Sequence, residues 1–180
     1  MKPIVVVDTN VAVVANRRET ASSGCVVACV NEILAITGDG KRVAIDLEGL
    51  IIREYMKNLS LGGQPGVSDA FLKWLYRNQA VTERCEKVSI MRNGGGEDDL
   101  PAFPEDQALA GFDPSDRKFV AVARAHPGAP PILEATDSKW WGWRQALQRN
   151  GVTVHFLCEA EIQATYEAKF GGGGSGARRG

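Results

Sequence analysis

The chain reads as an α/β domain with a mostly parallel central sheet and helices on both faces, the three-layer arrangement. Two observations predict it. Short β-branched apolar runs alternate with segments of helical apolar spacing along the whole chain. The first of these runs is apolar at consecutive positions, as in a strand buried on both faces. The 180 residues suit one domain, expected over 1–170, followed by a Gly-rich disordered tail over 171–180.

In chain order, Pro3 to Val7 predicts the first strand, and Asp8-Thr9-Asn10 ends it with cap-type residues before a helix from about Val11. A second helix is expected over about Ser23–Thr37, stopped by Gly38-Asp39-Gly40. Arg42 to Leu47 predicts a strand and Glu48 to Leu59 a helix; another helix opens at Ser68 and runs to about Asn78. Val88 to Met91 predicts a short strand or an extended segment. Residues 93 to 112, with Gly94-Gly95-Gly96 and several acids, predict a long loop or insertion. Asp113-Pro114-Ser115-Asp116 then caps the helix DRKFVAVARA. A strand over Pro131–Ala135, a helix over Ser138–Asn150, a strand over Val152–Leu157 and a helix over about Glu159–Phe170 complete the pattern.

Lys and Arg number 21 and Asp and Glu 22, a net charge of −1. This excludes a highly basic nucleic-acid-binding tail and a strongly acidic disordered chain. It leaves room for a local basic patch. The N-terminal apolar run is too short for a signal peptide, and no stretch reaches the ~20 apolar residues of a membrane span. A cytoplasmic protein is expected. Cys25, Cys29, Cys85 and Cys158 lack zinc-ligand spacing, so four reduced, mostly buried thiols are expected.

Chemistry is expected at the carboxyl ends of the strands, where open parallel sheets place their sites. Asp8 follows the first strand there, and Asp137 follows the strand ending near Ala135. Asp113 and Asp116 open the adjacent helix, and Glu54 lies in the helix after the second strand. A helix-capping Asp is ordinary on its own; acids from four distant segments arriving at one edge are not. Asp46 and Glu48 compete with Glu54 for the second position, and Asp113 with Asp116 for the third, where helix register favours Asp116.

These residues resemble the motifs of the PIN-domain ribonuclease family. The run VVVDTN is similar to its first motif, Arg53-Glu54-Tyr55 to its second, Asp116-Arg117-Lys118-Phe119-Val120-Ala121-Val122-Ala123 to its third and Thr136-Asp137-Ser138 to its fourth. The order and spacing extend over residues 1 to about 160. Lys139 stands where the family often carries a further acid, and residues 60–112 make the chain longer than small toxin members.

The resemblance implies a metal-dependent endoribonuclease that leaves a 5′-phosphate. Asp8, Glu54, Asp116 and Asp137 would be its catalytic and metal-binding residues, with Mg2+ or Mn2+ as cofactor. Asp8 and Asp137 are the principal ligands expected, Asp116 a direct or water-mediated one, and Glu54 the residue orienting a metal-bound water. Asn10 either hydrogen-bonds within the cluster or serves the turn. Lys139, Lys118 and Arg53 are the candidates for holding RNA phosphates, with Arg17 and Arg18 also near the motifs. The partners expected are RNA, a second copy in a homodimer and, for a toxin-like role, an antitoxin-like inhibitor; no membrane is expected. RNA processing is the other role.

Setting the four acids aside leaves 18 acids against 21 bases, a net of +3. A bound metal, and not neighbouring Lys or Arg, is expected to balance the four. Trp140 and Trp143 share a helix face and Trp141 points elsewhere, which predicts one or two core indoles and leaves base stacking open for an exposed one. The alternatives are a catalytically inactive PIN-like module binding RNA or protein, and an aspartyl phosphotransferase using Asp8. Asn10 stands where the second Asp of haloacid-dehalogenase-like enzymes falls. The absence of G-x-G-x-x-G after the first strand argues against a dinucleotide-binding Rossmann enzyme.

Overall fold

A computed structural model describes residues 1–171. The expected tail over 171–180 lies, apart from Gly171, outside the described residues. The architecture is α/β: a five-stranded, all-parallel sheet flanked by seven α-helices among the described residues. The strands are β1 (Ile4–Val7), β2 (Arg42–Asp46), β3 (Cys85–Val88), β4 (Ile132–Glu134) and β5 (Val154–Phe156). The helices are α1 (Thr9–Ala15), α2 (Ser23–Thr37), α3 (Leu50–Asn58), α4 (Val67–Asn78), α5 (Arg117–Ala125), α6 (Ser138–Arg149) and α7 (Glu159–Phe170). A 3-10 turn at Pro114–Asp116 leads into α5.

The strand order is β3-β2-β1-β4-β5. The chain therefore builds outward from β1 on one side, then returns to lay β4 and β5 on the other. The switch point lies between β1 and β4, whose paired residues are Val6 with Ile132 and Val7 with Leu133. That crevice is where such sheets place their sites. The central strands carry continuous apolar runs because both faces are covered, and Val6, Val7, Val43, Ile45, Ile132 and Leu133 are buried. Helices α1, α2, α3 and α4 pack on one another, while α5 packs on β1, β2 and β4.

One expectation on the elements is corrected and a second is refined. The third strand is Cys85–Val88, earlier than the extended segment expected over Val88–Met91. Cys85, Glu86, Lys87 and Val88 pair in register with Val43 to Asp46, and β3 ends the sheet order, where its exposed Lys87 suits an edge strand. Residues 93 to 112 are irregular, as expected, but they are not a loose insertion. Leu100, Leu109 and Phe112 are buried in the core, and Asp106 binds Arg149 at 2.7 and 2.8 Å and Asn150 at 2.8 Å. Phe112 packs edge-on against Trp140 with ring centroids 5.0 Å apart, and against Trp143 at 4.6 Å. Trp140 is the core indole expected. Trp141 meets Phe156 edge-on at 5.2 Å and carries Arg144 over its face at 4.0 Å, so its ring is already occupied within the chain.

The expectation of four reduced thiols is also corrected. Cys25 on α2 and Cys158 at the start of α7 form a disulfide, with Cα atoms 5.2 Å apart and a sequence separation of 133. Pairing across such a separation depends on the packing of α2 against α7, which cysteine spacing does not report. Cys29 and Cys85 are free and buried. Burial, then the fields of Glu134, Glu32 and Glu161, pushes the Cys29 thiol up to about 12. No helix among the described residues is long and apolar enough to cross a membrane.

Candidate active site

Four of the acids predicted from sequence meet in one cleft at the β1–β4 switch point. It holds about 370 Å³ and is lined by Asp8, Thr9, Asn10, Glu19, Glu54, Asn58, Asp116, Thr136, Asp137, Ser138 and Lys169. Asp8 leaves the end of β1, Glu54 comes from α3, Asp116 from the turn before α5 and Asp137 from the start of α6. Each segment arrives for a local reason. Asp8 and Asp137 are the N-caps of α1 and α6, accepting hydrogen bonds from Asn10 N at 2.8 Å and Lys139 N at 3.0 Å. Glu54 follows from the apolar face of α3, which buries Ile51 and Tyr55. The Tyr55 hydroxyl donates to the Val7 carbonyl beside Asp8, fixing α3 against the end of β1.

Asp8 is 4% exposed. Its Oδ1 takes the Asn10 amide, and its Oδ2 is buried with no hydrogen-bond partner among the described residues. An uncompensated buried carboxylate oxygen is costly. Burial, with the negative fields of Asp116, Glu54 and Asp137, drives the Asp8 carboxyl well above the usual carboxylate range against the pull of the Asn10 amide. Burial and the fields of Asp113, Asp137 and Glu54 likewise raise Asp116 to about 6, offset in part by Lys118.

Glu54 is held differently. Thr9 Oγ1 donates to its Oε1 at 2.6 Å, and the Lys118 ammonium pairs with its Oε2. Lys118 is 9% exposed and also donates to the Ser115 carbonyl. It is thus a buried counter-charge behind the cleft lining, paired with Glu54, and not a free phosphate ligand. The expectation that no Lys or Arg balances the four acids is corrected here: Glu54 has its own cation inside the fold.

The rival acids are accounted for by their hydrogen bonds. Asp46 accepts from Leu50 N at 2.6 Å and Ile51 N at 2.8 Å, so it caps α3. Glu48 accepts from Ser89 Oγ at 2.6 Å and Ile90 N at 3.2 Å, tying down the segment after β3. Asp113 accepts from Ser115 N and Oγ at 2.9 and 2.8 Å, which holds its carboxyl below the usual range and outside the cleft lining.

Asn10 does both things expected of it. Its Nδ2 donates to Thr136 Oγ1 at 2.7 Å and to Glu19 Oε2 at 3.0 Å, while its Oδ1 accepts from Thr136 N at 2.7 Å. One amide side chain therefore locks the β1–α1 turn to the β4–α6 turn, setting Asp8 beside Asp137. Of the other basic candidates, Lys139 is exposed and its charge acts on Asp113. Arg53 pairs with Glu97 at 2.8 Å and donates to the Glu48 carbonyl, so it does not line the acid cleft. Arg18 pairs with Asp69 at 3.8 Å.

Sequence reasoning missed Glu134. It is the last residue of β4, fully buried; its Oε1 accepts from Ala135 N and Asp137 N at 3.0 Å each, and its Oε2 has no partner among the described residues. Burial, then the Asp8 field, raises its carboxyl well above the usual range. The available signal was an acid inside the apolar run Pro131-Ile132-Leu133-Glu134-Ala135. Glu19 and Lys169 at the cleft rim carried no comparable signal.

The spacing of the acids is open. Among the described residues, the trio of ligand-type atoms lying within 4.8 Å of one another is Cys25, Cys29 and Cys158; no three pocket acids close to that distance. Carboxylates without a shared counter-ion repel. The protein therefore loses stability as pH rises through the cluster. Asp116 ionises near its ordinary 3.8 in the unfolded chain and at about 6 in the fold, so the folded state binds more protons between these values. Asp116→Asn is expected to raise the melting temperature of metal-free protein at pH 7 and to leave it unchanged at pH 3. Thermal melts at both pH values check this, and an equal shift at both would contradict it.

Comparison with known protein families, with curated proteins and with solved structures finds no match to this chain.

Proposed function

We propose that the chain is a metal-dependent endoribonuclease that hydrolyses phosphodiester bonds of RNA. The observation that carries this reading is the meeting of Asp8, Glu54, Asp116 and Asp137, from four separate segments, in one cleft at the sheet's switch point. The motif resemblance supplies the reaction; the cleft supplies a place for it.

The donor set suits a hard cation. All the candidate ligand atoms are carboxylate oxygens, the chemistry that Mg2+ and Mn2+ prefer. Asp8 Oδ2 is buried and unpartnered, and the ion pair that Lys118 makes is with Glu54. Asp8 and Asp137 would hold the cation, with Asp116 as a direct or water-mediated ligand. Open spacing is compatible with Mg2+, which keeps several of its waters. When bound, the cation would polarise a phosphoryl oxygen and lower the pKa of a coordinated water.

The chain's own groups do the rest. Glu54, fixed by Thr9 and Lys118, accepts a hydrogen bond from the attacking water and orients it. Asn10 keeps the Asp8 and Asp137 turns in register. Exposed Lys139 and Lys169 meet the substrate phosphates at the rim.

The test is cleavage of a mixed RNA pool with Mg2+, Mn2+ or EDTA, followed by end mapping. Fragments with 5′-phosphate ends are expected with either cation and none with EDTA. Cleavage that persists in EDTA overturns the reading. RNA binding without cleavage or metal uptake favours an inactive RNA-binding module instead.

A further inference from the structure

Three sulfurs lie together outside the acid cleft. Cys25 and Cys29 are four residues apart on α2 and therefore share one helix face. Cys158 approaches them from the start of α7. The three Sγ atoms all lie within 4.8 Å of one another, and the residues are 4%, 0% and 7% exposed. A disulfide uses two of these sulfurs; the third is held beside the pair.

We propose that the reduced chain binds one thiophilic cation, Cu(I), through the sulfurs of Cys25, Cys29 and Cys158. A metal–thiolate bond of ~2.3 Å in a three-coordinate plane spaces the sulfurs about 4 Å apart. The disulfide holds Cys25 and Cys158 closer than that, so on reduction these two sulfurs separate to reach the spacing, with Cys29 already within 4.8 Å of both. Its donors are all soft thiolates, which select Cu(I) over the hard cations of an acidic cleft. The group has three members and no fourth ligand among the described residues. That disfavours Zn(II), which takes four ligands in structural sites. Bound metal would join α2 to α7, the same connection the disulfide makes.

The oxidised and metal-bound forms exclude each other. Reduction by a phosphine breaks the Cys25–Cys158 bond and yields two thiols, while the phosphine takes an oxygen from water to become its oxide. Each of the three thiols then releases a proton as its sulfur binds Cu(I). No electron moves in this second step.

The experiment titrates the phosphine-reduced full chain, under anaerobic conditions, with Cu(I) against a competing Cu(I) chelator. One equivalent is expected to be retained, with a raised melting temperature. Cys29→Ser is expected to weaken retention by more than the ~10–100-fold that loss of an outer-shell partner costs. Cys29→Ala, which keeps the apolar packing, does the same if the Ser variant folds poorly. Cys85→Ser, a buried cysteine outside the trio, retains copper like the wild type. Reduced wild type that retains no copper overturns the proposal, and so does a Cys29→Ala variant that retains it unchanged. The readout is metal uptake, so the result is independent of RNA cleavage.

Discussion

Replacing Asp8 with Asn is expected to reduce RNA cleavage by at least about 10³-fold while raising the melting temperature of metal-free protein by several degrees. The two effects have one cause. Asp8 Oδ2 is buried without a partner, next to Asp116, Glu54 and Asp137. The charged oxygen is unfavourable among these carboxylates and useful only when a cation shares it. Asn has the same shape and keeps the acceptor for the Asn10 amide. Its amide group brings no charge into the negative field of Asp116, Glu54 and Asp137. The sign at neutral pH follows from linkage: a carboxyl raised in the fold costs stability once pH exceeds its unfolded value, and Asn removes that cost. Cleavage assays and metal-free melts on the same preparation check both halves. A variant that loses activity and melts lower would mean that Asp8 is a structural cap.

The largest effect on stability is expected at Trp140. Trp140→Ala should cost about 3–5 kcal/mol, as for other fully buried large aromatics. The indole is fully buried, packs edge-on against Phe112, and lies three residues after Asp137. Its loss would leave a cavity beneath the turn that presents Asp137 and would free the segment around Phe112. The indole nitrogen has no hydrogen-bond partner among the described residues, so Trp140→Phe should cost much less. Chemical denaturation of the two variants gives the comparison. Equal costs would show that the indole's size is not what holds this layer.

The fold class was legible because it depends on local periodicity. Continuous apolar runs and helical spacing mark covered strands and amphipathic helices, and the structure has them close to the expected limits. The third strand escaped because Cys85-Glu86-Lys87-Val88 is a four-residue edge strand with two adjacent charges and no strand period. The acid cleft was legible for a different reason. Asp8 and Asp137 cap helices at strand ends, and parallel topology carries such positions to one edge. Choosing Glu54 over Asp46 and Glu48 needed hydrogen-bond partners, which sequence does not state. Glu134 was hidden by the habit of reading an apolar strand as core. The Lys118–Glu54 pair and the Cys25–Cys158 disulfide join residues 64 and 133 positions apart, and only packing brings them together.

The central claim is that these carboxylates form a cation site. Its most direct test is a calorimetric titration of Mn2+ into metal-free wild type and Asp8→Asn at pH 7. Wild type should bind Mn2+ with release of protons, because Asp116, raised to about 6, and Asp8 lose their protons as the cation enters. Asp8→Asn should bind far more weakly. Equal Mn2+ binding by the two proteins, or none by wild type, would contradict it.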